Sequence, residues 1–555
     1  MSAFKNVTHA ISNGRLLSLA PVAAALVFAT AARAAVPGIT GPGFNLVAGE
    51  GYISQPDGQS VYSWGYGCTA PPAAGSFRPG TLTIPAFCST MQIPGPTLIV
   101  TEHQTVTVTL TNSLPAGAGN TSILFPGFNV TTSCNATSPV GVQGLLTCEA
   151  TPGNTVTYTF TADSPGTRAY YSGTQGDLQV EMGLYGAIVV LPATPPGVCG
   201  SIGIPSASAT SGLPATNPGA NSKAKAAWGE SDFRLAAAAY DHATTCYDRE
   251  YLFQFSEMDP GIHSQALDQV TAIKAKGGCA PGAPGCSLSV PTEPYRPAYF
   301  MINGRSMPDN MDTNYAPQYP HQPYNGNPHM HPGEMTLLRI IGQGRWQHPF
   351  HEHGNHVRVL ARDGNLILSQ TDPNSLAGPL LFTTTTTPGQ AMDGIYYYTG
   401  KGLNWDMYGH NPGSSDPAAK LPCTPDANGY NTIAPTAINY FEWCQDHNKP
   451  LQVNPFGDVG GGGPMTLPDP NIFTNGPWFG GSPYLGPDAT VRAVGSTGTT
   501  PPSGTIANSP TGEAGFAFMW HSHNEREITT NNIFPGGMLM MMLVDSREFV
   551  IDESM

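Results

Sequence analysis

Thr105-Val-Thr-Val-Thr-Leu-Thr111 alternates threonine with aliphatic residues along its whole length. Successive side chains of a strand point to opposite faces, so this run turns its aliphatic residues to one side and its hydroxyls to the other. It reads as a sheet strand with one buried and one wet face. Thr155-Val-Thr-Tyr-Thr-Phe160 repeats the pattern. Pro94-Gly-Pro-Thr-Leu-Ile-Val100 opens another strand, and Gly183-Leu-Tyr-Gly-Ala-Ile-Val-Val-Leu191 reads as a buried closing strand. Short strands separated by Gly, Pro and Asn turns predict a β-sandwich over residues 35–192.

Working outward, residues 193–230 are rich in Pro, Ser, Ala and Gly, a composition that reads as a linker. A second unit, 231–547, carries strand candidates at Tyr251–Phe255, Met335–Ile341, His356–Leu360, Phe516–Trp520 and Gly537–Val544. Within it, residues 411–512 lack periodicity and include Gly460-Gly-Gly-Gly463. They read as a long insertion between strands, in which Cys423 and Cys444 are placed to form a staple. Of the 555 residues, 11% are charged, against 65 Gly and 54 Pro. So few charge pairs and so many turn formers point to an all-β chain of more than one domain.

Lys5, Arg15, the apolar run Leu16–Ala32 and Ala32-Arg33-Ala34 read as an export leader over residues 1–34. No second long apolar run follows, so no membrane span is expected once the leader is cleaved. The net charge of −15 disfavours nucleic acid and anionic lipid as partners. Ten cysteines in an exported chain favour disulfides. Neighbours in sequence are the candidates: Cys68 with Cys88, Cys134 with Cys148, Cys199 with Cys246, Cys279 with Cys286, and Cys423 with Cys444. Sequence alone does not fix that connectivity. The expected location is the periplasm or the medium.

The histidines cluster. His348-Pro-Phe-His351-Glu-His353-Gly-Asn-His356 is one group, and Trp520-His521-Ser-His523 is another. His-x-His on a strand puts both rings on one face, about 6–7 Å apart. Two such strands side by side aim four imidazoles at one volume, and imidazole suits copper, zinc, iron or nickel. His329-Met330-His331 forms a third pair in a Pro-rich loop. Met538 and Met540–Met542 read as core of a closing strand, with Met538 also a soft candidate ligand.

These segments resemble the multicopper oxidases. In the first unit the resemblance rests on Pro94-Gly-Pro-Thr97, Pro152-Gly-Asn-Thr-Val-Thr-Tyr-Thr-Phe160 and Gly183–Val190. In the second it rests on Tyr299-Phe-Met-Ile-Asn-Gly304, His348–Gly354, Asp363-Gly364, Trp520–His523 and Phe534-Pro-Gly-Gly-Met538. It covers most of both units and excludes leader, linker and insertion. It implies two cupredoxin-like Greek-key sandwiches and a copper cofactor. His351, His353, His521 and His523 match ligands of a three-copper cluster. The family's two His-x-His pairs of the first domain fall at Leu124-Phe125-Pro126 and Tyr171-Ser172-Gly173, where no His stands. The resemblance therefore implies no three-copper cluster within one chain. At the electron-transfer copper, His348 and Met538 match, but Ser522 stands in the thiolate position and Glu527 in the second His position. A hydroxyl does not replace a thiolate, so no blue copper is expected. What remains is a one- or two-copper site, completed by Glu352, Glu525, Glu527 or water.

Three functions follow as expectations. One is an oxidoreductase working on a small phenol or a metal ion. A second is copper capture or delivery without turnover. The third is a metal-free scaffold that binds partners through an aromatic surface including Tyr396–Tyr398, Trp405, Trp443 and Trp478. An oligomer is compatible with all three, with His329 and His331 as ligands offered to a neighbouring chain. No Gly-x-Ser-x-Gly, Walker loop or dinucleotide fingerprint is present.

Overall fold

The computed structural model describes residues 36–401, 423–449 and 515–553, apart from 74, 79–87, 89–90, 135–140, 200–219, 433–434, 446–448 and 548. It also places the backbone of two short strands, Gly481–Leu485 and Ile506–Ala507. The leader lies outside the described residues, as do Trp405, Trp478 and most of 411–512.

Two sandwiches make up the chain. In the first, Thr105–Asn112 alternates buried and part-exposed positions, as its Thr/aliphatic pattern requires. It pairs antiparallel with Thr155–Thr161, setting Val106, Val108 and Leu110 opposite Phe160, Tyr158 and Val156. One face of this pair is therefore continuous core, and the other carries the Thr109 and Thr157 hydroxyls, 3.3 Å apart. Gly43–Ser54 and Ser60–Cys68 extend this sheet. The facing sheet runs Gly166–Tyr171, Tyr185–Leu191, Leu98–Thr101, Gly38–Thr40.

The second sandwich spans Arg249–Asp545. One sheet centres on Arg249–Met258, Met335–Gly342 and Ala391–Tyr397. The other orders His329–Met330, Leu539–Asp545, Gly515–Ser522, His348–Glu352 and Thr383–Thr386. The Gly481–Leu485 strand from the insertion pairs with Gly515–Phe518 on this sheet. A shared apolar layer joins the two sandwiches, with Ile99, Ala187 and Val189 packed beside Leu252, Ile341 and Ala391. Asp393 reinforces it, accepting from Thr167 N, Thr167 Oγ1 and Tyr240 Oη.

Several features differ from the sequence reading. Pro260–Ala275 is a helix, capped by Asp259, whose carboxylate accepts from Gly261 N, with Pro260 in its first turn. Its buried Ile262, Ala266 and Val270 stand four apart and pack on the first sandwich, although the helix follows a strand of the second. The segment read as a linker ends in a helix, Ala220–Trp228, whose Lys225 is buried. Lys225 Nζ donates to Asp248 O. All five neighbouring cysteine pairs form disulfides: 68–88, 134–148, 199–246, 279–286 and 423–444. Tyr396, Tyr397 and Tyr398 are core residues and Trp443 is buried, so they do not form a binding surface. Among the described residues, no helix is long and apolar enough to cross a membrane.

Candidate metal centre

Strand periodicity decides which histidines meet. His348–Glu352 lies antiparallel to Gly515–Ser522, with His351 directly opposite His521. His348, Phe350 and Glu352 share one face of their strand, and Trp520 and Ser522 share the corresponding face of the next. That face is the interior: all five are buried. His351 and His353, with His521 and His523, fall on the opposite face.

There the four rings converge. The His351 ring centroid is 4.9 Å from those of His353 and His523, and 5.7 Å from that of His521. His353 and His521 are 5.1 Å apart, with their Nε2 atoms at 3.2 Å. The rings approach more closely than an ideal His-x-His strand spacing because His353 and His523 lie one residue past the strand ends. His351 and His353 are buried, His521 is part-exposed and His523 is exposed. Burial, then the charges of its three neighbours, pushes the His351 imidazole down to about 4. Burial lowers His521 as well. Both rings are thus neutral near pH 7, the form that ligates metal.

The cluster is supported from its rim. Thr383 Oγ1 lies 2.7 Å from His351 Nδ1, and Ser522 O lies 2.7 Å from His521 Nδ1. Trp520 Nε1 and Tyr396 Oη both donate to His353 O. With Nδ1 engaged on two rings, Nε2 is the atom each presents to an ion. The 3.2 Å Nε2–Nε2 separation matches two ligands bound about 2.0–2.1 Å from a shared ion. Four imidazoles suit copper in donor type.

His348 and Met538 do not join this group. His348 Nε2 lies 2.9 Å from Glu257 Oε2, and its Nδ1 2.9 Å from Glu527 Oε2. Burial alone would depress this imidazole, but the two carboxylates outweigh it and raise the ring to about 9. Ser522 Oγ and Asn524 Nδ2 donate to the same Glu527. Met538 is buried among Phe350, Phe518 and Trp520, and its N–H donates to Glu527 O. The residues aligned with the electron-transfer copper are therefore together, but as a carboxylate–imidazole clamp without a thiolate. Glu352 points into the core, where burial pushes its carboxyl well up and Thr384 Oγ1 donates to it. His356 stacks on Phe382 at 3.7 Å.

His329 and His331 are not available to a neighbouring chain. Both are fully buried. His329 Nδ1 meets Asp545, and His331 lies between Asp545 O and Glu230. Glu230, His331 and Glu334 form a compact ligand-like group. Cations already occupy its carboxylates: Arg249 pairs with Glu230, Glu334 and Glu553, while Lys225 and Arg547 also approach Glu334. Burial alone would raise Glu334, but Arg249 and Lys225 hold it well below the carboxylate range. This is an internal ion network, and the sequence reading missed it because its members are spread from Lys225 to Glu553.

The family model described as multicopper oxidase matches residues 83–195. Over that stretch the chain is similar to the multicopper oxidases. L-ascorbate oxidase of Brassica rapa subsp. pekinensis is 35% identical over 99 residues, covering 18% of this chain and 16% of that protein. Laccase-3 of Botryotinia fuckeliana is 38% identical over 102 residues, covering 18% and 21%. The matched stretches thus span about a fifth of these curated relatives or less. The solved multicopper oxidase mgLAC aligns with 90% of this chain and 85% of its own, at 14% identity and a TM-score of 0.41. The segment that matches the family model contains Leu124 and Tyr171. There the chain has a backbone bridge, Leu124 N to Tyr171 O at 2.7 Å, and no imidazole.

Proposed function

We propose that His351, His353, His521 and His523 form a reduced copper site, and that this exported multicopper-oxidase relative uses it for oxidoreductase chemistry on a small phenol or a metal ion. The observation that carries the reading is the convergence of four imidazoles across one β-ladder, with His351 opposite His521. Copper, when held there, supplies one-electron redox chemistry. The chain's own residues do the rest. Thr383 and the Ser522 carbonyl orient two of the rings. Trp520 and Tyr396 fix the His353 backbone. Exposed His523 leaves the site open to small molecules from solvent.

A second reading, copper capture without turnover, is favoured by the clamp at Ser522 and Glu527, which removes the electron-transfer centre. Copper-dependent oxidation of 2,6-dimethoxyphenol separates the two. Turnover that requires added copper and vanishes in His351→Ala supports the oxidoreductase. Bound copper without turnover of phenols or reduced metal ions supports capture.

A further inference from the structure

A small polar cavity of ≈ 10 Å³ lies where the two sandwiches meet. Pro37 and Thr97 close it from the first sandwich, and Leu252, Asn303 and Asn325 from the second. Its walls are fixed by hydrogen bonds. Asn303 Nδ2 donates to Leu252 O and Asn325 O, and Asn303 Oδ1 accepts from Gln254 N. Asn325 N donates to Asn314 Oδ1. The Asn325 backbone is thus tied through both its N–H and its carbonyl. Its side chain is not tied. Asn325 is 1% exposed, and neither its Oδ1 nor its Nδ2 has a hydrogen-bond partner among the described residues. Exchanging the two amide atoms leaves the same deficit, since donors and acceptors both go unmet. Thr97 is fully buried as well, and its Oγ1 makes no well-formed hydrogen bond. Its N–H donates to Tyr324 Oη at 3.1 Å, which holds the residue against the cavity.

We propose that this cavity binds a single water molecule, bonded to the Asn325 amide and the Thr97 hydroxyl, that pins the first sandwich to the second. Size excludes every organic ligand: about 10–15 Å³ of such space holds one water and nothing larger. The donor set excludes an ion. A bare cation cannot accept from Asn325 Nδ2, and a simple anion cannot donate to Asn325 Oδ1. Water does both. No charged side chain is among the lining residues, so an ion would lose its hydration with no opposite charge in exchange. A buried water needs two to four polar partners, and Asn325 Nδ2, Asn325 Oδ1 and Thr97 Oγ1 supply three. Leaving that amide unpaired costs more than ordering one water beside it. None of these residues belongs to the histidine cluster, so the inference stands whether or not copper binds.

The test is a crystal structure of the full chain, wild type and Thr97→Val, from crystals grown in rubidium chloride. The wild type should show one density peak roughly 2.7–3.2 Å from the Asn325 amide and from Thr97 Oγ1. It should carry no anomalous signal at the rubidium edge. Thr97→Val keeps the side-chain shape and removes the hydroxyl, so the occupancy of the peak should fall. An empty cavity in the wild type overturns the proposal, as does a rubidium signal inside it. A peak at unchanged occupancy in Thr97→Val also overturns it, because the water would then not bridge the sandwiches. The wild-type crystal decides between water, ion and empty cavity even if Thr97→Val fails to fold.

Discussion

Replacing His348 by Gln tests whether the site aligned with the electron-transfer copper has become a structural clamp. The His348 ring is fully buried and lies 2.9 Å from a carboxylate oxygen on each side. A rise from the ordinary 6.5 to about 9 corresponds to roughly 3 kcal/mol of stabilisation from the protonated ring. Removing one partner of a buried ion pair costs about 3–5 kcal/mol, the same range. The sign follows from the raised folded-state value. The stabilisation is complete below about pH 6.5 and is lost as pH rises through about 9. Metal-free wild type and His348→Gln are therefore expected to differ in Tm by roughly 5–10 °C at pH 6, and by far less at pH 10. Differential scanning calorimetry on both proteins at both pH values reads this directly. Equal gaps at pH 6 and pH 10, or no gap at pH 6, would refute the charged clamp. Copper content should be the same in both proteins, because His348 is not among the ligands.

Other predictions follow from the same geometry. Ser522→Cys combined with Glu527→His supplies the missing thiolate and imidazole beside His348 and Met538. Copper loading should then give an intense visible absorption band that the wild type lacks. Thr383→Val removes the hydroxyl on His351 Nδ1 and should weaken copper binding about 10–100-fold in a competition titration, with unchanged stoichiometry. Arg249→Met removes the cation shared by Glu230, Glu334 and Glu553 in the interior and should cost about 3–5 kcal/mol in unfolding experiments, without altering copper content.

Much of this was legible in the sequence because β structure writes its faces with a period of two. Thr105–Thr111 and Thr155–Phe160 announced a half-buried pair, and they are paired in register. His351 with His353, and His521 with His523, were legible as same-face pairs for the same reason. That period also sets His348 apart: three residues from His351, it must face the other way, into the core. Matching it to a family ligand position did not show this. The helix Pro260–Ala275 left signals that were passed over, Asp259-Pro260 at its start and apolar residues four apart. The burial of His329 and His331 left none, since their partners Glu230 and Asp545 lie far away in sequence. The Ala220–Trp228 helix was hidden by linker-like composition, and it is held in part by Lys225, buried against Glu230 and the distant Glu334.

The most direct test of the central claim is the copper content of the full-length protein after copper supplementation and desalting. It should be measured beside a variant in which His351, His353, His521 and His523 are all Ala. The account predicts bound copper, one ion per chain, in the wild type and none in the variant, with both proteins folded by circular dichroism. Equal copper in the two, or none in either, would contradict it.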